Sequence, residues 1–396
     1  MNICFYTTFE VSPMQGGTER ITFTVAKNLC ELYGWKCYNI YLEKARTEFV
    51  PEVFDDVKQV GYPGKNRDQI LEILRNWKVD VLINQGAFDL SPIFSDILNC
   101  IDAKYIFCHH FEPGFEQSFF SLRTVAKNWR KYRDLKQFLK MVLYPYLKLC
   151  YIWSLHRDYR MTYQLADRVV LLSEYFIPQF MSYGSIGDNK KFGIIHNSLS
   201  FDSFLDAANL GKKEKNVLIV SRMEDTPKKI SYALRIWKEV EQSDSYKEWH
   251  LYILGKGADL ESYKRYVLKH RLSRVSFEGM QPPEDYYRRA SIFLMTSSSE
   301  GWGLTLTEAQ QFGCVPLAFD TYASLHEIIK DGYNGFIIPK NDFPSYIGRL
   351  EQLMCDSELM HQMAVSAIAS SHRFEQKTIA QQWYDLLLDV CGSENR

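Results

Sequence analysis

The feature that most constrains this chain is an alternation repeated along its length: short apolar runs rich in β-branched and aromatic residues, each followed by a stretch with helical spacing. That pattern marks βα repeats, in which the helix carries the chain back so that the next strand lies parallel to the last. Ile3–Tyr6, Cys37–Leu42, Val79–Ile83, Tyr105–Cys108, Val169–Leu172 and Gly193–Ile195 form one series. Val217–Val220, Leu251–Leu254, Val275–Phe277, Ile292–Met295, Val315–Phe319 and Gly335–Ile338 form a second. At 396 residues the chain is too long for one ordinary core. The expectation is an α/β protein with two tandem Rossmann-like, doubly wound domains, 1–200 and 201–377, joined through the polar stretch His196–Ser200. Such sheets bind ligands outside the carboxyl ends of their strands, so the chemistry is expected in a central cleft that the two domains face. In 378–396, Ile379, Trp383, Leu386, Leu387 and Val390 recur at helical spacing, which predicts a terminal helix able to pack across to the N-terminal domain.

Charge excludes one class of partner. The formal net charge is -1, so the molecule has no overall field to hold a polyanion, and nucleic acid is not expected. Nine cysteines form no Cys-x-x-Cys pair and no cluster with histidine, which disfavours zinc and a disulfide framework and fits a reducing compartment. The start, Met1–Tyr6, lacks a basic leader and reads as a buried strand, so a cytoplasmic protein is expected. The greasiest region, Met141 to Trp153, is interrupted by Pro145 and Lys148 and falls short of the ~20 apolar residues of a spanning helix.

One segment breaks the alternation, a helical insertion near 119–160. From Arg123 to Arg160 ten Lys or Arg residues face two acids, Asp134 and Asp158, interleaved with Trp129, Tyr132, Phe138, Tyr144, Tyr146, Tyr151 and Trp153. Two readings stand: a solvated helix pair covering the sheet, or a surface that docks on anionic lipid and makes the protein peripheral on the inner membrane face.

The stretch with most chemistry runs from Thr296 to Glu308, Thr-Ser-Ser-Ser-Glu-Gly-Trp-Gly-Leu-Thr-Leu-Thr-Glu, after a predicted strand and opening a helix. A glycine turn feeding a helix start offers free N–H groups and a positive dipole end to a phosphate, with Gly303, Leu304 and Thr305 as donors. The competing reading makes Thr305 the helix cap and Glu308 the far side of a capping box. Glu300 and Glu308 as a glycosidase pair are disfavoured, because eight helical residues separate them by roughly 12 Å, beyond the roughly 5–9.5 Å such pairs need. A nicotinamide dehydrogenase is disfavoured too, since neither Gly16-Gly17 nor Gly255-Lys256-Gly257 completes Gly-x-Gly-x-x-Gly. Arg222 and Lys228, near a strand end, are by default solvated surface cations.

Glu300 and Glu308 in the setting Ser-Glu-Gly-Trp-Gly-Leu-Thr-Leu-Thr-Glu-Ala resemble the signature of family 4 glycosyltransferases. Val220-Ser221-Arg222-Met223 followed by Lys228-Lys229 resembles the family's Arg-Leu…Lys segment, with Met223 in place of the usual leucine. Gly16-Gly17-Thr18-Glu19-Arg20 resembles its Gly-Gly-x-Glu-Arg loop, and Asp331-Gly332-Tyr333-Asn334-Gly335 its Asp-Gly-x-Asn-Gly turn. The family's strand-end histidine falls on the doublet His109-His110. His110 is favoured because Pro113 and Glu116 follow at spacings associated with some members.

The resemblance implies the GT-B fold and a retaining, metal-independent transfer of a hexose from a nucleoside diphosphate sugar. No Asp-x-Asp occurs to anchor a metal, and no cofactor beyond the co-substrate is implied. It implies Arg222 and Lys228 on the diphosphate, Glu308 on the ribose, Glu300 near the sugar, and His110 with the Gly16-Gly17 loop on the transferred sugar. The family's bacterial members often build surface polysaccharide or lipopolysaccharide, so a saccharide or lipid-linked acceptor and a UDP-sugar are expected. A non-catalytic nucleotide-sugar-binding relative and a GT-B epimerase are the alternatives.

Overall fold

The computed structural model describes residues 1–13, 16–45 and 52–392. It divides into two compact units, Met1–His196 with Ile379–Arg396, and Asn197–Thr378.

The first unit is built on a seven-stranded sheet of β1 (Asn2–Phe9), β2 (Lys36–Glu43), β3 (Asp56–Gln59), β4 (Val81–Asn84), β5 (Lys104–His109), β6 (Arg168–Leu171) and β7 (Phe192–Ile194). Their order is β3-β2-β1-β4-β5-β6-β7, and every pairing is parallel. β1, β4 and β5 sit centrally, and Ile3, Phe5, Leu82, Ile106 and Phe107 are fully buried, which is why those runs are continuously apolar. The chain winds outward from β1 in one direction and from β4 in the other. The carboxyl ends of these two strands are therefore the topological switch point, where sheets of this kind bind ligands.

β3 is a strand the apolar pattern does not predict. Asp-Val-Lys-Gln lies at the sheet edge with two of its four residues exposed, and it joins by backbone pairing with Tyr38–Tyr41. Polar edge strands of this kind are held by main-chain hydrogen bonds and need no core-facing run.

Three helices fill the insertion: Leu122–Tyr132, Leu135–Val142 and Tyr144–Leu165. The last buries Leu155, Tyr159, Thr162 and Tyr163, and the Ser91 and Thr162 hydroxyls bond at 2.8 Å. Covering of the sheet thus holds for its carboxyl-terminal half, whereas Leu135–Val142 buries none of its residues. Among the described residues no helix is long and apolar enough to cross a membrane.

The second unit holds β8 (Glu214–Val220), β9 (His250–Leu254), β10 (Val275–Gly279), β11 (Ala290–Met295), β12 (Val315–Phe319) and β13 (Phe336–Ile338), all parallel, in the order β10-β9-β8-β11-β12-β13. Val217, Ile219, Leu251, Ile253, Ile292 and Leu294 pack with the fully buried Trp237. Each such side chain contributes roughly 1.5–3 kcal/mol by leaving water. Here the winding reverses between β8 and β11, which makes the carboxyl ends of those two strands the topological switch point, where sheets of this kind bind ligands.

Asn197 to Leu199 are buried, and the Leu199 N–H donates to the Phe374 carbonyl at 2.8 Å. The final helix, Gln376–Cys391, buries Ile379, Ala380, Trp383 and Leu387. From Ile379 onward it groups with the first unit. There Tyr384 stacks on Tyr33 with centroids 4.2 Å apart, and Arg168 pairs with Asp389 at 2.5 Å.

Candidate functional site

In the second unit the chemistry-bearing residues follow the ends of β8 and β11, neighbours in the sheet. Arg222 lies two residues beyond β8, with a side chain 69% exposed and a 3.4 Å contact to Glu224. An exposed pair of this kind restrains the arginine weakly, so the guanidinium is available to an anion. Lys228 is different: its ammonium meets the Glu300 carboxylate at 2.6 Å, with the side chains only 18% and 13% exposed.

Hydrogen bonds fasten the two loops to each other. The Ser298 N–H and hydroxyl both donate to the Pro227 carbonyl, at 2.8 and 3.0 Å, and the Thr296 hydroxyl donates to the Lys229 carbonyl at 2.9 Å. From the far side the Thr321 hydroxyl holds the Ser297 carbonyl at 2.7 Å, and the Ser324 hydroxyl holds that of Gly301 at 3.0 Å. Trp302, 2% exposed, packs edge-on against Phe374. The loop carrying Glu300 is therefore pinned at both ends, and a pinned carboxylate pre-organises whatever it binds.

The helix after β11 is Leu304–Gln311, and its N-cap is Gly303, at φ 96° and ψ 53°, with no side-chain cap. This corrects the capping-box reading. Thr305 lies inside the helix, the Leu306 N–H donates to the Gly303 carbonyl at 2.8 Å, and the Glu308 side chain turns into the core. A cap with positive φ is one that glycine adopts without strain. The N–H groups of Leu304 and Thr305, ahead of that first bond, have no helical carbonyl one turn back to receive them.

Glu308 is 1% exposed. The Ser200 hydroxyl donates to Oε1 at 2.6 Å and the Tyr287 hydroxyl to Oε2 at 3.0 Å. Two hydroxyls from separate segments fix the orientation of the carboxylate, whose oxygens are acceptors. Neither partner is foreseeable from the local motif, because Ser200 and Tyr287 lie 108 and 21 residues away in the chain.

Gly255 and Gly257 have a role that no glycine fingerprint announces. Gly255 has φ 132°, and a Cβ there would run into the Ser221 carbonyl oxygen; a Cβ on Gly257 would meet the Met223 backbone. The loop after β9 is thereby laid directly on the loop after β8, with the Met223 N–H donating to the Lys256 carbonyl at 2.9 Å. Asp331-Gly332-Tyr333-Asn334-Gly335 is a structural turn: the Asn334 side chain accepts from the Lys330 N–H at 2.8 Å and donates to the Ile328 carbonyl at 3.1 Å.

In the first unit, Gly16 caps the helix Gly17–Tyr33 that follows β1, in an extended conformation with no side-chain cap. Glu19 lies in the first turn of that helix, and burial holds its carboxyl above the usual range. The two histidines at the end of β5 are not equivalent. His109, 1% exposed, sits among Phe88, Tyr159 and Phe180, with Nε2 3.5 Å from the Glu116 carboxylate. Burial pushes it down to about 3, and burial with His109 as neighbour does the same to His110. Both imidazoles are therefore neutral near pH 7. Glu116 accepts from the Tyr159 hydroxyl at 2.8 Å, and burial raises its carboxyl. His110 is half-buried just past β5, and its Nε2 contacts the Gln85 side chain just past β4. Of the doublet, His110 is the more exposed. Among the described residues no group of three or more His, Cys, Asp or Glu side chains could hold a metal ion.

Comparison with known proteins agrees with this geometry. Residues 201–369 match the family model described as glycosyl transferases group 1. The chain is 29% identical over 232 residues, 57% of its own length and 63% of the other, to the amylovoran biosynthesis glycosyltransferase AmsD of Erwinia amylovora. It thus spans less than two thirds of that relative. Anabaena HepE, solved with UDP, superposes with a TM-score of 0.75 at 15% identity, covering 98% of this chain and 100% of that one. The apo lipopolysaccharide outer core galactosyltransferase WaaB superposes at 0.70 and 16%, covering 98% and 99%. The fold is the GT-B fold of these glycosyltransferases, and the match to glycosyl transferases group 1 falls on the unit that carries Arg222, Lys228, Glu300 and Glu308.

Proposed function

We propose that the chain is a retaining, metal-independent hexosyltransferase of the family 4 kind, using a nucleoside diphosphate sugar, with UDP favoured, and a saccharide or lipid-linked saccharide acceptor. The observation that carries this is the arrangement over β8 and β11, where Arg222, the pinned Lys228–Glu300 pair and the start of the helix Leu304–Gln311 follow adjacent strand ends. Transfer leaves negative charge on the departing diphosphate. Fixed cations and free helix N–H groups are what stabilise charge that develops there.

In this assignment Arg222, Lys228 and the amides of Gly303, Leu304 and Thr305 hold the diphosphate. Glu308, already oriented by Ser200 and Tyr287, accepts from ribose hydroxyls, and Glu300 from hydroxyls of the sugar. The first unit handles the acceptor, with His110 and Gly16-Gly17 as its contributions to the transferred sugar. A neutral imidazole serves there as a hydrogen-bonding group and carries no charge of its own. Support for uridine comes from the UDP bound by the Anabaena protein. Support for a role in polysaccharide or lipopolysaccharide synthesis comes from the names of AmsD and WaaB.

A thermal-shift screen against UDP-, GDP- and ADP-sugars tests the donor assignment without an acceptor. A rise in unfolding temperature with one nucleotide class, abolished in Lys228→Ala and Glu308→Ala, is expected. No shift with any of them, or an undiminished shift in both variants, overturns it.

A further inference from the structure

Two cysteines of the first unit lie against each other, and neither has a part in the proposed transfer. The helix Gly17–Tyr33 ends at Gly34, whose φ of 64° is one that glycine adopts without strain. The Gly34 and Trp35 N–H groups donate back to the Cys30 and Leu29 carbonyls at 3.0 and 3.4 Å, so the chain turns over within two residues and enters β2 at Lys36. Cys30, in the last turn of the helix, and Cys37, the second residue of β2, meet across that turn, and their thiols hydrogen-bond each other. The surroundings hold both sulfurs. They lie 3.7 and 3.8 Å from the Val53 and Ala26 carbonyl oxygens, and the Cys37 N–H donates to the Asp55 carboxylate at 3.1 Å while its carbonyl accepts from the Asp55 N–H at 2.8 Å.

The two thiols are free and unequal. Cys30 is half-buried and Cys37 is fully buried. The hydrogen bond from Cys37 holds the Cys30 thiol below its usual range, outweighing burial and the nearby carboxylates of Asp55 and Glu31, while the same bond together with burial pushes Cys37 well up. A partly exposed, acidified thiol is the one that an oxidant attacks, and a protected thiol beside it is placed to resolve the product.

We propose that Cys30 and Cys37 are a peroxide-sensitive pair, in which Cys30 is oxidised first and Cys37 then closes a reversible disulfide tying the end of the helix Gly17–Tyr33 to β2. In the first step the Cys30 sulfur attacks hydrogen peroxide. An S–O bond forms, the O–O bond breaks, and hydroxide leaves with the thiol proton as water. In the second step the Cys37 sulfur attacks the Cys30 sulfenic acid, forming S–S and breaking S–O, and its own proton leaves with the hydroxide as a second water. The two thiols lose two electrons and the peroxide gains them. The bond closes far from the motifs of the second unit and is measurable without donor or acceptor.

The test treats the folded full chain with hydrogen peroxide, blocks remaining thiols with iodoacetamide in denaturant, and reads a tryptic digest by mass spectrometry. Cleavage after Lys27, Lys36 and Lys44 puts the two cysteines on separate peptides, 28–36 and 37–44. The expected product is these two peptides linked, about 2 Da lighter than their reduced sum, and separated again by dithiothreitol. Closing so short a loop should raise the unfolding temperature by roughly 5–10 °C. Cys30→Ser, at a half-buried position, should leave Cys37 reduced under the same treatment, and in Cys37→Ala the reagent dimedone should trap Cys30 as its sulfenic acid. Recovery of Cys30 and Cys37 as alkylated thiols, at a peroxide concentration that oxidises the exposed Cys150 and Cys355, overturns the proposal. So does Cys30 linked to Cys4 or to a second chain, and so does oxidation of Cys37 in Cys30→Ser.

Discussion

The Lys228–Glu300 pair allows a structural role to be separated from a chemical one. At 2.6 Å, with side chains 18% and 13% exposed, the gross attraction at an effective dielectric of 20 is ~6 kcal/mol. Desolvation of both charges offsets most of it, leaving a coupling of about 2 kcal/mol. Lys228→Met removes the cation and strands a largely buried carboxylate. It should cost about 2–3 kcal/mol, or roughly 4–10 °C in the unfolding temperature for a unit of this size. Glu300→Gln strands the ammonium at similar cost. The double variant has neither charge and should recover most of the loss. Activity should not recover with it. If Lys228 neutralises the departing diphosphate, every variant lacking it falls about 10²–10³-fold in kcat/KM, whatever its stability. The assay pairs thermal unfolding with donor turnover on the four proteins of the cycle. Additive stability losses would refute the pairing, and turnover by Lys228→Met within threefold of wild type would refute the diphosphate role.

Glu308→Gln leaves the amide nitrogen facing a hydroxyl that had an acceptor, and should lower stability by about 1–3 kcal/mol and donor affinity tenfold or more, read by unfolding and by donor titration. Gly255→Ala drives a Cβ into the Ser221 carbonyl at φ 132° and should cost about 3 kcal/mol or more, measured by denaturant unfolding of the purified variant. For His109 the folded value of about 3 lies below the unfolded value near 6.5. The unfolded state therefore binds the extra proton between them, and stability present above pH 6.5 is lost as pH falls toward 3. The slope is up to about 1.4 kcal/mol per pH unit. Comparing unfolding temperatures of wild type and His109→Gln from pH 7 to 5 should show the shallower slope in the variant, and equal slopes would exclude His109 as the source.

The unequal legibility of this chain has a physical cause. Central strands such as β1, β5 and β11 are buried on both faces, so their own residues must be apolar, and the sequence pattern identifies them. β3 satisfies only backbone partners at an edge, and Asp56–Gln59 carries no comparable signal. The candidate site shows the same division. Arg222, Lys228, Glu300 and Glu308 are recognisable by motif, yet what orients them comes from distant segments. Pro227 holds Ser298, Thr321 holds Ser297, Ser200 and Tyr287 hold Glu308, and the loop of Gly255 lies on that of Ser221.

Those contacts follow from sheet order, which places β11 beside β8 although helices, β9 and β10 intervene in the chain. Periodicity is a local property and cannot report that adjacency. The competing capping-box reading fails for the same reason. Thr305 and Glu308 have the right spacing for a box, but the glycine before them takes positive φ, and a tyrosine from another helix claims the carboxylate. A glutamate that would otherwise cap its own helix is thereby drawn into the core and held by two hydroxyls. A buried, oriented acceptor of that kind can discriminate for hydroxylated ligands far better than a solvated helix cap could, because a partner lacking the matching donor leaves the carboxylate unpaired in a low-dielectric setting.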